Sequence, residues 1–166
     1  MKVVLSPNPY RDRGLKAAQA AEKILRNVGV ETVMCLPFQV EGNTPELPKH
    51  IHFRNTQEEL KGADMLICFG GDGTILHAAK DANACHVPVL GVNLGSVGFM
   101  AELEQSELSM LARLAAGKYT IEARMMLDVT VRREGKTLYS DLALNDAAVT
   151  KGAVARVVDL GGRRSD

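Results

Sequence analysis

Over its first hundred or so residues the chain alternates short apolar runs with segments whose apolar residues recur at helical spacing, a pattern that points to a parallel α/β sheet. Val3 to Leu5 is such a run, closed by SPNP; Leu15, Ala18, Ala21, Ile24, Leu25 and Val28 then recur at helical spacing up to Gly29. VETVMCL and DMLICF read as further strands, and VPVLGV as a continuous apolar run suited to a buried parallel strand. EGNTPELPKHIHF, with two prolines and no clear period, reads as a loop. Thr56 and Glu59 stand at capping-box spacing for a short helix, QEELKGA. A helix is expected from about Thr74 to Ala82 and another around Ser106 to Ala116. After Tyr119 the pattern changes: Leu127, Val129 and Val131 alternate, an EG turn follows, and a second strand-like run extends from Thr137 to Leu144. The expected architecture is a parallel α/β, Rossmann-like N-terminal domain over residues 1–118, followed by the beginning of an antiparallel all-β domain over 119–166.

Composition narrows the partners. Lys plus Arg equals Asp plus Glu, at 20 each, so no global field draws the chain toward nucleic acid or a membrane, and any bound anion must be held locally. Cys35, Cys68 and Cys85 lie in or beside apolar segments at spacings that fit no zinc or redox motif. They read as buried thiols of a reducing compartment. The apolar stretch in MKVVLSPNPYRDRG is too short for a signal peptide, and no run approaches the roughly 18 apolar residues of a membrane helix. A cytosolic, soluble protein is expected.

Within that frame, CFGGDGTILHAA places Gly70, Gly71, Asp72 and Gly73 where a strand ends and a helix begins. Ligands of α/β sheets bind outside the carboxyl ends of strands, where a helix start presents unpaired N–H groups and a partial positive charge. Glycines without Cβ atoms let a phosphate or sugar approach the main chain. A carboxylate such as Asp72 repels phosphate, yet it is stabilised at a helix start by about 0.3–1 kcal/mol. A base beside the phosphates is also what phosphorylation of a hydroxyl requires. The plainer alternative is that Asp72 or Thr74 only caps the helix.

Two further stretches carry polar residues at places where strands end. GVNLGSVGFMAE sets Gly91, Gly95 and Gly98 around Asn93, whose amide both donates and accepts, and brings in the aromatic face of Phe99. Two consecutive glycine-rich strand–helix junctions favour one shared cleft over two independent turns. In ALNDAAVTKG, Asn145 and Asp146 interrupt an apolar strand. They read either as a strand end or bulge, or as a pair able to grip a base edge or a diol.

GGDGT at Gly70 to Thr74, GVNLGSVGF at Gly91 to Phe99 and LNDAAVTKG at Leu144 to Gly152 stand in the order and approximate spacing of the ATP-NAD kinase family, which the chain resembles from its opening strand to about Leu160. Diacylglycerol and sphingosine kinases also carry a GGDGT turn, but typically with a GTxND pattern that this chain lacks. The resemblance implies transfer of the terminal phosphoryl group of ATP, or in some members polyphosphate, to the 2′-hydroxyl of the adenosine ribose of NAD, giving NADP. Magnesium is expected to arrive with ATP, because no carboxylate or histidine cluster has the spacing of a dedicated cage. Asp72 matches the family's proton acceptor, and Gly73 the adjacent main-chain contact to the nucleotide. Asn145 and Asp146 match the pair that holds NAD, often Asn-Glu; Asp is shorter but keeps the charge. His77 falls where many members have Arg and reads equally as a helix-surface residue. Arg156 matches a basic residue that follows the Asn-acid pair. With Gly71, Asn93 and Phe99, these make up the expected nucleotide site.

Family members continue into a Gly-Ser/Thr-rich segment that completes the nucleotide pocket, whereas this sequence passes from ARVVDL into GGRRSD, which has no apolar period and reads as disordered. A hairpin plus one further strand leaves an open edge and an uncovered face. The chain by itself is therefore expected to bind NAD weakly or not at all, to show negligible kinase activity and to self-associate as a homo-oligomer through that edge and face. Two function classes stand side by side: an NAD kinase, and a non-catalytic nucleotide-binding fragment of one. A lipid kinase of the same superfamily is disfavoured, since no membrane-directed basic or amphipathic surface is evident.

Overall fold

A computed structural model of the chain describes residues 1–37, 47–95, 98–150 and 157–158. Two compact units emerge, Met1–Ile121 and Glu122–Asp166. In the first, strands β1 (Lys2–Pro7), β2 (Glu31–Met34), β3 (Met65–Gly70), β4 (Val89–Asn93) and β5 (Leu103–Glu104) form one sheet in the order β2-β1-β3-β4-β5, with every pair parallel. The connections carry α1 (Lys16–Asn27), α2 (Thr56–Leu60) and α3 (Asp72–Ala84), and the sheet is followed by 3₁₀ turns over Gln105–Ala116.

Successive residues of a strand point to opposite faces, and here both faces are covered. Val3, Leu5, Ile67 and Phe69 pack with Ala18, Ala21 and Leu25 of α1 and with Leu108, Leu111 and Leu114 of the 3₁₀ segment. Val4, Leu66 and Cys68 pack on the other side with Ile75, Ala78 and Ala82 of α3. All six residues of β3 are buried, which is why its sequence is an unbroken apolar run rather than an alternating one. Small alanines on α1 keep that helix close to the sheet. Its start is closed by Asp12, whose carboxylate accepts the N–H groups of Ala17 (3.0 Å) and Ala18 (2.9 Å), and its end by Gly29 at φ +79°, where Val30 N–H returns to Leu25 O.

Three local expectations are corrected. The cap of α2 is Asn55, whose Oδ1 accepts Glu58 N–H at 3.1 Å; Thr56 instead donates its hydroxyl to Leu36 O, and Glu59 accepts the Lys2 ammonium at 2.7 Å. That hydrogen bond, aided by the Lys2 charge, holds the Glu59 carboxyl below its ordinary range. The helix expected around Ser106 to Ala116 is present over Gln105–Ala116, but it is 3₁₀ rather than α. Asn145 and Asp146 do not interrupt a strand but follow its end, exposed just past Ala143 where β7 stops, with Asn145 in a bend.

In the second unit, β6 (Leu127–Arg133) and β7 (Lys136–Ala143) pair antiparallel across Glu134 and Gly135, both at positive φ, as a two-residue hairpin turn requires. Strand β8 (Val149–Thr150) pairs antiparallel with β9 (Val157–Val158). The GGRRSD tail, Arg156 and part of the EGNTPELPKHIHF loop lie outside the described residues. No helix among those described is long and apolar enough to cross a membrane.

Cys35 and Cys68 are buried, while Cys85 is only half-buried. Burial, and then the negative charge of Glu59, push the Cys35 thiol up to about 11; burial pushes Cys68 up to about 12. Native chain at pH 8 should therefore alkylate quickly at Cys85 and slowly at the other two, with all three reacting in denaturant. The folded state retains thiol protons that the unfolded state loses above about pH 9, so this contribution is whole below that value and lost as pH rises toward 11–12. Denaturant titrations at pH 8 and 10.5 should show the fall, and Cys68→Ala should flatten it. Rapid native alkylation of Cys68 would contradict the packing.

Candidate active site

The strand order reverses between β1 and β3, since β1 leads outward to β2 and β3 leads outward to β4 and β5. In open α/β sheets the crevice outside the carboxyl ends at such a reversal is where ligands bind. Three turns meet there: Asn8 after β1, Gly71 after β3 and Leu94 after β4. They are stitched together by Asn8 N–H to Phe69 O (2.9 Å), Asn8 Nδ2 to Thr74 Oγ1 (3.0 Å) and Leu94 N–H to Gly70 O (2.9 Å). Asn8 was not among the residues singled out from sequence; a polar residue between two prolines directly after the first strand was the available signal.

Gly71, in extended conformation, is the N-cap of α3, and no side chain caps it. Neither Asp72 nor Thr74 therefore plays the capping role. Thr74 is buried against Asn8, and Asp72 reaches to the neighbouring turn, where its two carboxylate oxygens accept Met100 N–H (3.1 Å) and Phe99 N–H (3.2 Å).

The glycines of the two turns serve different ends. A Cβ at Gly70 would stand 2.3 Å from Thr74 Oγ1, and one at Gly91 2.4 Å from Ile75 Cδ1, so both positions are fixed by the approach of α3 to the sheet. A Cβ at Gly71 or Gly73 would meet nothing within 4 Å, and neither residue has positive φ. The fold does not require glycine at these two places, although a helical glycine costs about 0.5–1 kcal/mol relative to alanine. What they leave is open space at an uncapped helix start beside a carboxylate.

Asn93 is 3 % exposed; its amide closes on Gly95 in both directions and donates to Glu104, while Phe99 is 88 % exposed. Hydrogen bonds thus bring Asp72 together with the main chain of Phe99, and Asn93 shapes the turn that leads there. His77 lies exposed on α3, more than a turn beyond Asp72. Asn145 and Asp146 belong to the second unit, and Arg156 lies outside the described residues. Among the described residues no group of three or more His, Cys, Asp or Glu is gathered as a metal site would need. A groove of about 770 Å³ lies elsewhere, along β2 between α1 and residues 50–54. Its Arg26 is paired with Glu22 at 2.8 Å and its Arg54 with Glu59 at 3.7 Å.

A sequence model of the ATP-NAD kinase N-terminal domain matches residues 8–119. The chain belongs to the ATP-NAD kinase family. It is 32 % identical over 161 residues to an NAD kinase of Acetivibrio thermocellus, covering 96 % of this chain and 54 % of that protein. It is 44 % identical over 147 residues to NAD kinase 2 of Streptomyces avermitilis, covering 87 % and 49 %. The chain thus spans about half the length of the curated relatives it matches. The fold resembles that of yeast NADH kinase, solved in complex with NADH, with a TM-score of 0.63 at 19 % identity, covering 86 % of this chain and 46 % of that one. The stretch matched to the ATP-NAD kinase domain contains Asn8, Asp72, Asn93 and Phe99, and stops before Asn145.

Gly73→Ala should separate folding from binding. Alanine should stabilise the chain by up to about 1 kcal/mol, read from denaturant melts, because it enters open space in a helix. Nucleotide binding, followed by calorimetry, should weaken. Lower stability together with unchanged binding would mean that the open space has no bearing on a ligand.

Proposed function

We propose that the chain carries the phosphoryl-transfer half of an NAD kinase, which moves the terminal phosphoryl group of ATP or polyphosphate to the 2′-hydroxyl of the adenosine ribose of NAD. The observation that carries this reading is the empty space over Gly71 and Gly73 at the uncapped start of α3, with Asp72 beside it. Main-chain N–H groups at a helix start suit phosphate oxygens. Asp72 takes the proton of the 2′-hydroxyl as the ribose oxygen attacks the terminal phosphorus, and the bond to the leaving phosphate oxygen breaks. Magnesium comes bound to the donor phosphates.

The geometry also addresses the repulsion between a carboxylate and phosphates. Each Asp72 oxygen accepts one main-chain N–H, which offsets part of its charge, and each keeps further lone-pair capacity for a hydroxyl. Phe99, whose main-chain N–H meets this carboxylate, has an exposed ring able to stack on a flat ligand. In this reading Asn145 and Asp146 hold the dinucleotide, joined by Arg156 and His77. A second reading, nucleotide binding without turnover, is favoured by the exposure of Asn145 and Asp146 outside any strand.

NADP formation from NAD, ATP and magnesium, measured on this chain and on a full-length form, separates the two readings when paired with calorimetric binding of NAD and ATP. In an active form, Asp72→Asn should cut turnover by about 10²–10⁴ while leaving NAD binding within a few fold. Near-normal turnover of this variant would remove Asp72 from the chemistry. Asn145→Ala should mainly raise the KM for NAD, by an amount equivalent to about 0.5–1.5 kcal/mol. Collapsed turnover at unchanged KM would contradict its assignment to binding.

A further inference from the structure

The N–H groups that Asp72 accepts belong to the chain that follows β4, and a second carboxylate stands beside the end of that strand. Strand β5 is two residues long, and its parallel register sets Glu104 directly beside Asn93. Asn93 Nδ2 donates to both Glu104 oxygens, at 3.1 and 3.2 Å, and also to Gly95 O at 3.3 Å, while Asn93 Oδ1 accepts Gly95 N–H at 3.0 Å. A Cβ at Gly98 would come within 3.1–3.4 Å of the same amide, so the returning chain is packed onto Asn93. One and two residues after Gly98 come the N–H groups that Asp72 accepts.

We infer that Glu104 is a positioning residue: by fixing the buried amide of Asn93 it sets the turn that presents Phe99 and Met100 N–H to Asp72. The role deepens the phosphoryl-transfer reading and rests on it, but its structural half can be tested without activity. An ionised acceptor makes a shorter and stronger hydrogen bond than a neutral one. With Glu104 removed, the amide of Asn93 keeps, among the described residues, only its hydrogen bonds with Gly95, and its hold on the chain that returns at Gly98 is weakened. Glu104 also has a purely local duty, since it shares a capping box with Glu107 at the start of the 3₁₀ segment. Glu107→Ala breaks that box and leaves the contact with Asn93, so it separates the two roles.

The experiment is amide hydrogen exchange on the full chain, resolved at Phe99 and Met100, with Ile67 and Val92 as reporters of an intact sheet. Glu104→Ala should speed exchange at Phe99 and Met100 by about tenfold or more, as Asp72→Asn also should, while Glu107→Ala leaves them within about twofold. Unchanged protection in Glu104→Ala, or equal loss in Glu107→Ala, would overturn the inference. If Ile67 and Val92 show that Glu104→Ala does not fold, Glu104→Gln replaces it; its neutral carbonyl should give an increase of about threefold, and no increase overturns the claim. In a form that makes NADP, Glu104→Ala should lower turnover with little change in the KM for NAD, and a changed KM at constant turnover would count against positioning. If no form makes NADP, the kinase reading fails, and the exchange comparison still decides the role of Glu104 in holding the turn.

Discussion

Burial of β3 on both faces fixes the position of everything at the candidate site. Met65 to Gly70 are all buried, and removing side chains such as Leu66, Ile67 and Phe69 from water contributes about 1.5–3 kcal/mol each. Because the neighbours β1 and β4 are paired to it in register, their carboxyl ends emerge at the same level, with Pro7 beside Phe69 and Gly70 beside Asn93. The helix that follows cannot drift, since Gly70 and Gly91 bring it closer to the sheet than any side chain would permit. The turn over Gly71 and Gly73 is thus mounted on a strand buried on both faces.

Two aspartates near this edge are used in opposite ways. Asp12 is 4 % exposed and spends its carboxylate on the first amides of α1, which closes that helix start to any outside anion. Asp72 stands in the first turn of α3 but spends its carboxylate on a different turn, which leaves the start of α3 without a side-chain cap. The same residue type therefore seals one helix start and leaves the neighbouring one open. Only the open one has glycines that the fold does not require.

Strands β1 to β4, the hairpin of β6 and β7, α1 and α3, and the two glycine-rich junctions were legible in the sequence, because burial and helical period leave local patterns; β5, only two residues long, left none. The contacts that organise the site were not. Asp72 with Phe99 and Met100, Asn8 with Thr74, and Asn93 with Glu104 depend on which strands are neighbours and in what register. No window of sequence contains that information. The choice of Asn55 over Thr56 as cap was local, yet it was decided by the distant carbonyl of Leu36, which takes the Thr56 hydroxyl. Asn145 and Asp146 looked like part of a strand because apolar residues flank them, but the pairing with β6 stops at Ala143.

The joint between Asp72 and Met100 spans 28 residues of chain, yet most of that span is already closed by the pairing of Gly70 with Asn93. Beyond that pairing, only seven residues of chain separate Asn93 from Met100. The entropy of closing a loop grows with the logarithm of its length, so this last closure is inexpensive and its loss leaves the sheet untouched. Parting of the two turns is consequently a local excursion, separate from the cooperative unfolding of the domain. A molecule arriving at the crevice can compete for two main-chain N–H groups without having to melt the protein that presents them.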